Sequence, residues 1–113
     1  MKEIKAIVQP FMLPRIVEAL QEIPDLPGVT VSEVRGFGRG RAANALEKVS
    51  EGSVEYVKKA KLEIVVPDEL VALVVRTIQE RAHTGSPGDG KIFVYTVEDV
   101  VRIRTGERGE NAI

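Results

Sequence analysis

Residues 61–78, KLEIVVPDELVALVVRTI, contain the clearest change of hydrophobic period in the chain. In the first part of this segment Leu62, Ile64 and Val66 alternate with other residues, which is the pattern of a β-strand. After Pro67 the apolar residues recur every three to four positions, which is the spacing of an amphipathic helix. We therefore predict a strand that leads directly into a helix.

The same two patterns occur on both sides of this segment. The sequence predicts a strand over 4–8, a helix over 13–23, a second strand within 29–37 and a last strand over 92–95. The resulting order, β-α-β-β-α-β, is the ferredoxin-like split βαβ arrangement, an α+β fold. Its single antiparallel sheet carries both helices on one face, and a long loop joins strands two and three.

The face of the predicted sheet opposite the helices is also partly apolar. Ile7, Val65, Phe93 and Tyr95 are out of phase with the residues expected to face the helices. Because two helices cover only one face, these side chains need another partner, and we predict a homo-oligomer.

Composition narrows the functional classes. The 113 residues suit one domain spanning 1–113, and a net charge of −1 argues against nucleic-acid binding, which relies on an excess of Lys and Arg. The absence of Cys excludes disulfides and thiol nucleophiles. The N-terminal apolar stretch is too short and too charged for a signal peptide or a membrane span. We expect a cytoplasmic protein that does not insert into the membrane.

The connection over 39–58 is far longer than the usual loop of about 4–6 residues, and such loops are usually functional or disordered. A solvated excursion with a helical turn over 44–49 is the simpler interpretation. Glu47, Glu51 and Glu55 recur at four-residue spacing, which favours a charged helical face over a set of metal ligands.

Glycine and basic residues occur together in three segments, 36–41, 84–91 and 102–107. Glycines at a strand end let phosphates approach main-chain N–H groups, and basic side chains then supply charge-assisted hydrogen bonds. The four cations that suit a triphosphate are Arg39, Lys91, Arg102 and Arg104. The alternatives are a tight turn in the GDG sequence and a solvated strand edge for the last two arginines.

Catalytic groups are few. His83 is the only histidine and has no evident partner, so a helix-end or surface position is the better interpretation. Neither a GxGxxG sequence nor a Walker A motif is present. The sequence therefore predicts no catalytic residue and no metal site.

Four longer motifs bring these features together: EVRGFGR at 33–39, KLEIVVPDELV at 61–71, HTGSPGDGKIFV at 83–94 and VVRIRTGE at 100–107. In this order they resemble the PII signal-transduction proteins of nitrogen regulation. The resemblance implies a homotrimer that binds ATP or ADP in clefts between subunits and is not an enzyme. It also implies a T-loop, about 38–59, that contacts a membrane transporter or an enzyme, and a C-terminal tail over 102–113.

The resemblance also assigns individual residues. The implied nucleotide-binding residues are Thr30, Gly36, Phe37, Gly38, Arg39, Val65, Gly88, Asp89, Gly90, Lys91, Arg102 and Arg104. Lys59 matches the lysine that pairs with 2-oxoglutarate in the family, and with Arg41 it is a candidate for binding an effector anion. Gly40 replaces the glutamine that holds Mg²⁺ beside ATP, so a role for Mg²⁺ stays open.

Covalent modification of the loop and the function that it serves also stay open. Gly52 replaces the tyrosine that is uridylylated in many bacterial members, and Ser50 aligns with a serine that some relatives phosphorylate. The alternatives are slow ATP hydrolysis, an adaptor without ligand binding, and a regulator associated with metal efflux or responding to another small anion. The loop sequence does not identify the partner.

Overall fold

A computed structural model describes residues 1–38, 48–51 and 54–113 of the chain. The elements are β1 (Lys2–Val8), α1 (Leu13–Gln21), β2 (Thr30–Gly36), β3 (Lys48–Glu51), β4 (Val54–Val66), α2 (Asp68–Ala82) and β5 (Gly90–Thr96). Short 3-10 helices lie at Pro10–Met12 and Glu110–Ala112. The main sheet has the order β2-β4-β1-β5 with antiparallel pairing throughout, and β3 pairs with β4. This confirms the predicted ferredoxin-like fold.

The core lies between the sheet and the two helices, which pack against each other. Alternate residues of β1 and β4 face this core, as the strand period predicts, and helix residues at three- to four-residue spacing meet them. The largest fully buried side chains are Ile4, Val8, Ile16, Leu20, Leu62, Ile64, Val66, Val74 and Ile78. Among the residues that the structure describes, no helix is long and apolar enough to cross a membrane.

The segment between strands two and three differs from the prediction. The predicted strand over 61–66 begins at Val54, and a further strand, β3, pairs with its first residues. The helical face proposed for the glutamates is wrong for Glu51 and Glu55, because these residues lie in the two strands of an antiparallel hairpin. Hydrogen bonding along this hairpin outweighs the local four-residue spacing. Glu47 and most of the proposed helical turn over 44–49 lie outside the described residues, and the rest of that turn belongs to β3.

The sheet face opposite the helices is partly apolar, as predicted. Ile7 and Val65 are half-buried, whereas Phe93 and Tyr95 are 41% and 42% exposed. The ammonium group of Lys5 lies 5.3 Å from the ring centre of Phe93 and 5.0 Å from that of Tyr95. Cation–π contacts at these distances hold both rings on the face. The oligomer that would cover them stays a prediction.

Candidate functional site

A cleft of about 640 Å³ lies on this uncovered face, at the end of the sheet where β5 begins and β2 ends. Its walls come from β1, β2, β4, the start of β5 and the loop that precedes β5. Its volume falls within the range of about 300–1,000 Å³ that is typical of small-molecule sites. The lining residues are Ile7, Val34, Arg35, Gly36, Phe37, Gly38, Val57, Lys59, Pro87, Gly88, Gly90, Lys91 and Phe93.

The cleft brings together half of the residues predicted to bind a nucleotide. They are Gly36, Phe37, Gly38, Gly88, Gly90 and Lys91, which come from two distant parts of the sequence. The sheet joins these parts because the end of β2 and the start of β5 both lie at the Val8 end of β1. Arg39 lies outside the described residues, as does Arg41.

Another group of predicted residues lies away from this cleft. Thr30 occupies the opposite end of β2 from Gly36, about 20 Å away at the rise of a β-strand. Val65 pairs with Glu3 near the start of β1. Arg102 and Arg104 come after β5 in the chain. The end of β5 lies beside the start of β1, where the Val97 N–H donates a hydrogen bond to the Met1 carbonyl. Within one chain, therefore, these residues and the cleft lie apart.

The two glycines of the GDG sequence differ in what requires them. Both have positive φ, +97° at Gly88 and +108° at Gly90. A Cβ on Gly90 would lie 1.7 Å from the Ile7 carbonyl oxygen, so this glycine allows β5 to approach β1. A Cβ on Gly88 would instead lie 3.3 Å from Gln9 Nε2 and 3.7 Å from Lys59 Nζ, beside the cleft. The structural interpretation therefore applies to Gly90, whereas phosphate binding at Gly88 stays a prediction.

Asp89 organises the loop that forms one wall of the cleft, although its own side chain is not part of the lining. Its carboxylate accepts hydrogen bonds from the backbone N–H and the hydroxyl of Thr84 and from the Gly85 N–H, at 2.9 Å in the last case. Partial burial acts in the opposite direction, but these hydrogen bonds lower the pKa of Asp89. His83, for which no partner was evident from the sequence, is exposed, and its Nδ1 lies 3.9 Å from the same carboxylate.

Lys59 places an amine at the other wall of the cleft. Its Nζ donates a hydrogen bond of 2.6 Å to the Gly88 carbonyl and so connects β4 to the GDG turn. Burial lowers the pKa of Lys59 from its ordinary value of 10.5, because the charged form loses hydration. An anion beside this amine would restore favourable interactions for the charge. Effector binding by Lys59 stays a prediction.

Sequence reasoning missed several apolar lining residues and one contact at the base of the loop. Ile7 and Phe93 were predicted to lie on the uncovered face, but they were not predicted to form the floor of a cleft. Their apolar character on that face was the sequence feature that could have indicated it. Tyr56 of β4 gave no such signal. Its ring lies 6.3 Å from that of Phe37, and the guanidinium of Arg35 lies 5.7 Å from its centre. These contacts connect the cleft wall to the β3–β4 hairpin (48–51 and 54–57).

Acidic residues do not gather in the described part of the chain: no group of three or more His, Asp or Glu side chains is placed to hold a metal ion there. The described lining of the cleft contains Arg35, Lys59 and Lys91 but no Asp, Glu or His. The arrangement therefore offers positive charge to an anion and apolar side chains to a flat ring.

Comparisons with known proteins agree with this architecture. The sequence matches the family described as "Nitrogen regulatory protein P-II" over residues 1–107. It is 50% identical over 113 residues, covering all of both chains, to the nitrogen regulatory protein P-II of Rhodospirillum rubrum and to protein P-II 1 of Escherichia coli K12. The fold is similar to the crystal structure of Arabidopsis thaliana PII bound to citrate. That comparison has a TM-score of 0.79 and 46% identity, and it covers 99% of this chain and 91% of the plant chain.

Proposed function

Since the chain belongs to the P-II family of nitrogen regulatory signal-transduction proteins, we propose that it is a cytoplasmic homotrimer that binds ATP or ADP between subunits. The nucleotide biases the conformation of the T-loop, and a transporter or an enzyme binds that loop. The cleft beside the GDG turn carries this proposal, because it combines glycines, Lys91 and an apolar floor.

The chemistry of the cleft favours a nucleotide over a simple anion. Gly36, Gly38 and Gly88 line the cleft without side chains, so a phosphate can approach their main chain, and Lys91 adds a positive charge. Ile7, Val34 and Phe93 offer an apolar surface of the kind that a base requires. Citrate in the plant relative is a polyanion, which supports anion binding within the family.

The distribution of the predicted site supports binding between subunits. The described part of the cleft contains no member of the second group, Thr30, Val65, Arg102 and Arg104. Packing the uncovered apolar faces of several chains against one another would bury Phe93 and Tyr95 and bring the second group of one protomer to the cleft of the next. A closed trimer would then contain three equivalent sites.

The position of the β3–β4 hairpin indicates how a ligand in the cleft would act on the T-loop. Its strand β4 runs directly into the cleft wall at Val57 and Lys59. A ligand in the cleft therefore acts on the base of the T-loop, which carries the surface for the partner. The described cleft lining offers no carboxylate or imidazole as a general base, so binding is favoured over ATP hydrolysis.

Subunit mixing tests the shared site. Lys91→Ala removes a cleft cation and Arg102→Ala removes a tail cation, and each variant alone should lose about 1.5–3 kcal/mol of ATP binding, roughly ten- to a hundredfold in affinity. When equal amounts of the two variants are co-refolded from denaturant, about one cleft in four combines an intact Lys91 with an intact Arg102. Calorimetry should then detect a tight class of ATP sites that neither variant has alone.

Two results would contradict the proposal. If the mixture binds ATP no better than either variant, one protomer supplies both cations. If neither variant weakens ATP, these cations do not contact the ligand. Arg108→Ala is the control, since Arg108 is a tail cation whose guanidinium is paired with Asp99 at 2.7 Å. Its affinity for ATP should match that of the wild type.

A further inference from the structure

Arg102 and Arg104 lie in a tight turn of the tail that backbone hydrogen bonds close. The Gly106 N–H donates to the Arg102 carbonyl at 2.7 Å, and the Arg102 N–H donates to the Glu107 carbonyl at 2.9 Å. Gly106 has a positive φ of +74°, which the turn requires. The turn thereby brings the side chain of residue 107 back onto that of residue 102.

The guanidinium of Arg102 is held at both of its terminal nitrogens. Nη1 donates to Glu107 Oε1 at 3.0 Å, and the same oxygen accepts a hydrogen bond of 3.0 Å from the Thr105 hydroxyl. Nη2 donates to the carbonyl oxygens of Asn111 and Ile113 at 3.3 and 3.4 Å. The planar group is therefore fixed in rotation, while 37% of the side chain remains exposed.

Arg104 provides a contrast within the same turn. Its side chain is exposed and has no hydrogen bond or ion pair with any part of the chain that the structure describes. Immobilising a free, rotamer-rich side chain on a ligand weakens binding about two- to tenfold, whereas a side chain that is already fixed avoids much of that loss. The two arginines therefore differ in how much order a ligand must impose on them.

We infer that Glu107 is a positioning residue that preorganises Arg102 for phosphate. This inference rests on the proposed function and deepens it, because it assigns Arg102 the role of a fixed anchor and Arg104 that of a mobile contact. Glu107 does not touch the nucleotide. It acts through the guanidinium, whose remaining N–H groups stay available to a phosphate of the neighbouring protomer's ligand.

A matched pair of variants tests the inference. Glu107→Ala and Glu107→Gln both remove the negative charge, but only Glu107→Gln keeps an acceptor oxygen for Arg102. We expect Glu107→Ala to bind ATP about two- to tenfold more weakly than the wild type, the fold-change of a lost preorganised side chain. Glu107→Gln should recover most of this loss. Adenosine, which has no phosphate, should bind all three proteins equally, by competition calorimetry where its binding is weak.

The sign of the effect separates positioning from competition. Removing a carboxylate beside a phosphate site favours an anion electrostatically, so weaker ATP binding is the reverse of the simple charge effect. If Glu107→Ala binds ATP more tightly, or as the wild type does, Glu107 is a competitor or a bystander and the inference is wrong. Glu110→Ala is the control: it removes a tail carboxylate with no side-chain hydrogen bond or ion pair in the described chain, and it should leave ATP affinity unchanged.

A ligand-free measurement keeps this inference separate from the proposed function. In protein labelled with ¹⁵N-arginine, hindered rotation of the Arg102 guanidinium should give resolved Nη resonances in the wild type and an averaged signal in Glu107→Ala. Equal rotation in both proteins would overturn the positioning role whether or not ATP binds. Hindered rotation in a wild-type protein that does not bind ATP would contradict the proposed function, and with it the phosphate role of Arg102, while confirming the contact.

Discussion

Replacing Gly90 by alanine should destabilise the fold far more than the same change at Gly88. The added Cβ at Gly90 would lie 1.7 Å from the Ile7 carbonyl oxygen, a backbone atom that cannot move without displacing β1 from β5. Overpacking of this kind costs about 1–3 kcal/mol, and the positive φ of +108° adds about 1–2 kcal/mol for any L-residue. We therefore expect Gly90→Ala to lose about 2–5 kcal/mol of unfolding free energy.

Gly88→Ala is the matched control. Its Cβ would meet only the flexible ends of Gln9 and Lys59, at 3.3 and 3.7 Å, so the positive φ is the main penalty and the loss should be about 1–2 kcal/mol. Thermal unfolding at one protomer concentration measures both variants, and Gly90→Ala should unfold at least about 10 °C below the wild type. ATP affinity should fall in the folded Gly88→Ala protein, because the methyl group crowds the cleft. Wild-type stability of Gly90→Ala, or a larger loss in Gly88→Ala, would refute the reasoning.

Three further predictions concern the loop, the effector and pH. Phe37→Ala removes the ring contact to the β3–β4 hairpin and should speed amide hydrogen exchange in the hairpin about two- to tenfold. Phe11 is similarly exposed, and Phe11→Ala should leave that exchange unchanged. Equal exchange rates in the hairpin of both variants would argue against the contact. Mg²⁺-dependent binding of 2-oxoglutarate should be weak or absent because Gly40 offers no side-chain oxygen, and saturable binding in calorimetry would contradict this. Since its folded-state pKa is lowered, Asp89 stabilises the protein above its ordinary pKa of 3.8 and loses this effect as pH falls through the lowered value. Unfolding of the wild type and Asp89→Asn should therefore differ at neutral pH and converge in acid, and a constant difference would contradict the assignment.

Periodicity predicted most of the fold because each strand and helix has a strong pattern of its own. Leu62, Ile64 and Val66 are buried on one face of β4, and the helix after Pro67 follows as expected. The β3–β4 hairpin (48–51 and 54–57) was not predicted, because its pairing depends on contacts between the two strands rather than on a local apolar period. Glu51 and Glu55 fit a helix by spacing alone, and only the partner strand shows that they belong to a sheet.

Six of the twelve predicted nucleotide-binding residues line the candidate cleft, but the sequence did not indicate how the fold brings them together. Glycine and lysine in the GDG segment indicated a phosphate site, and the structure places Gly88 and Lys91 on one cleft. Arg102 does not line the cleft of its own chain. Its position depends on the order of the strands in the sheet, and no sequence motif specifies that order. The hydrogen bond between Arg102 and Glu107 depends on a tight turn, and the other bonds of Arg102 go to carbonyls several residues away. Sequence spacing alone therefore did not indicate these contacts.

Native mass spectrometry of the protein with ATP tests the central claim most directly, because it reports oligomeric state and ligand number together. We predict a trimer of 12.4-kDa chains that binds up to three ATP molecules, with no ATP on any residual monomer because a monomer would have only part of each site. A trimer that binds no ATP would contradict the nucleotide site. A monomer that binds ATP would contradict the sharing of that site between subunits.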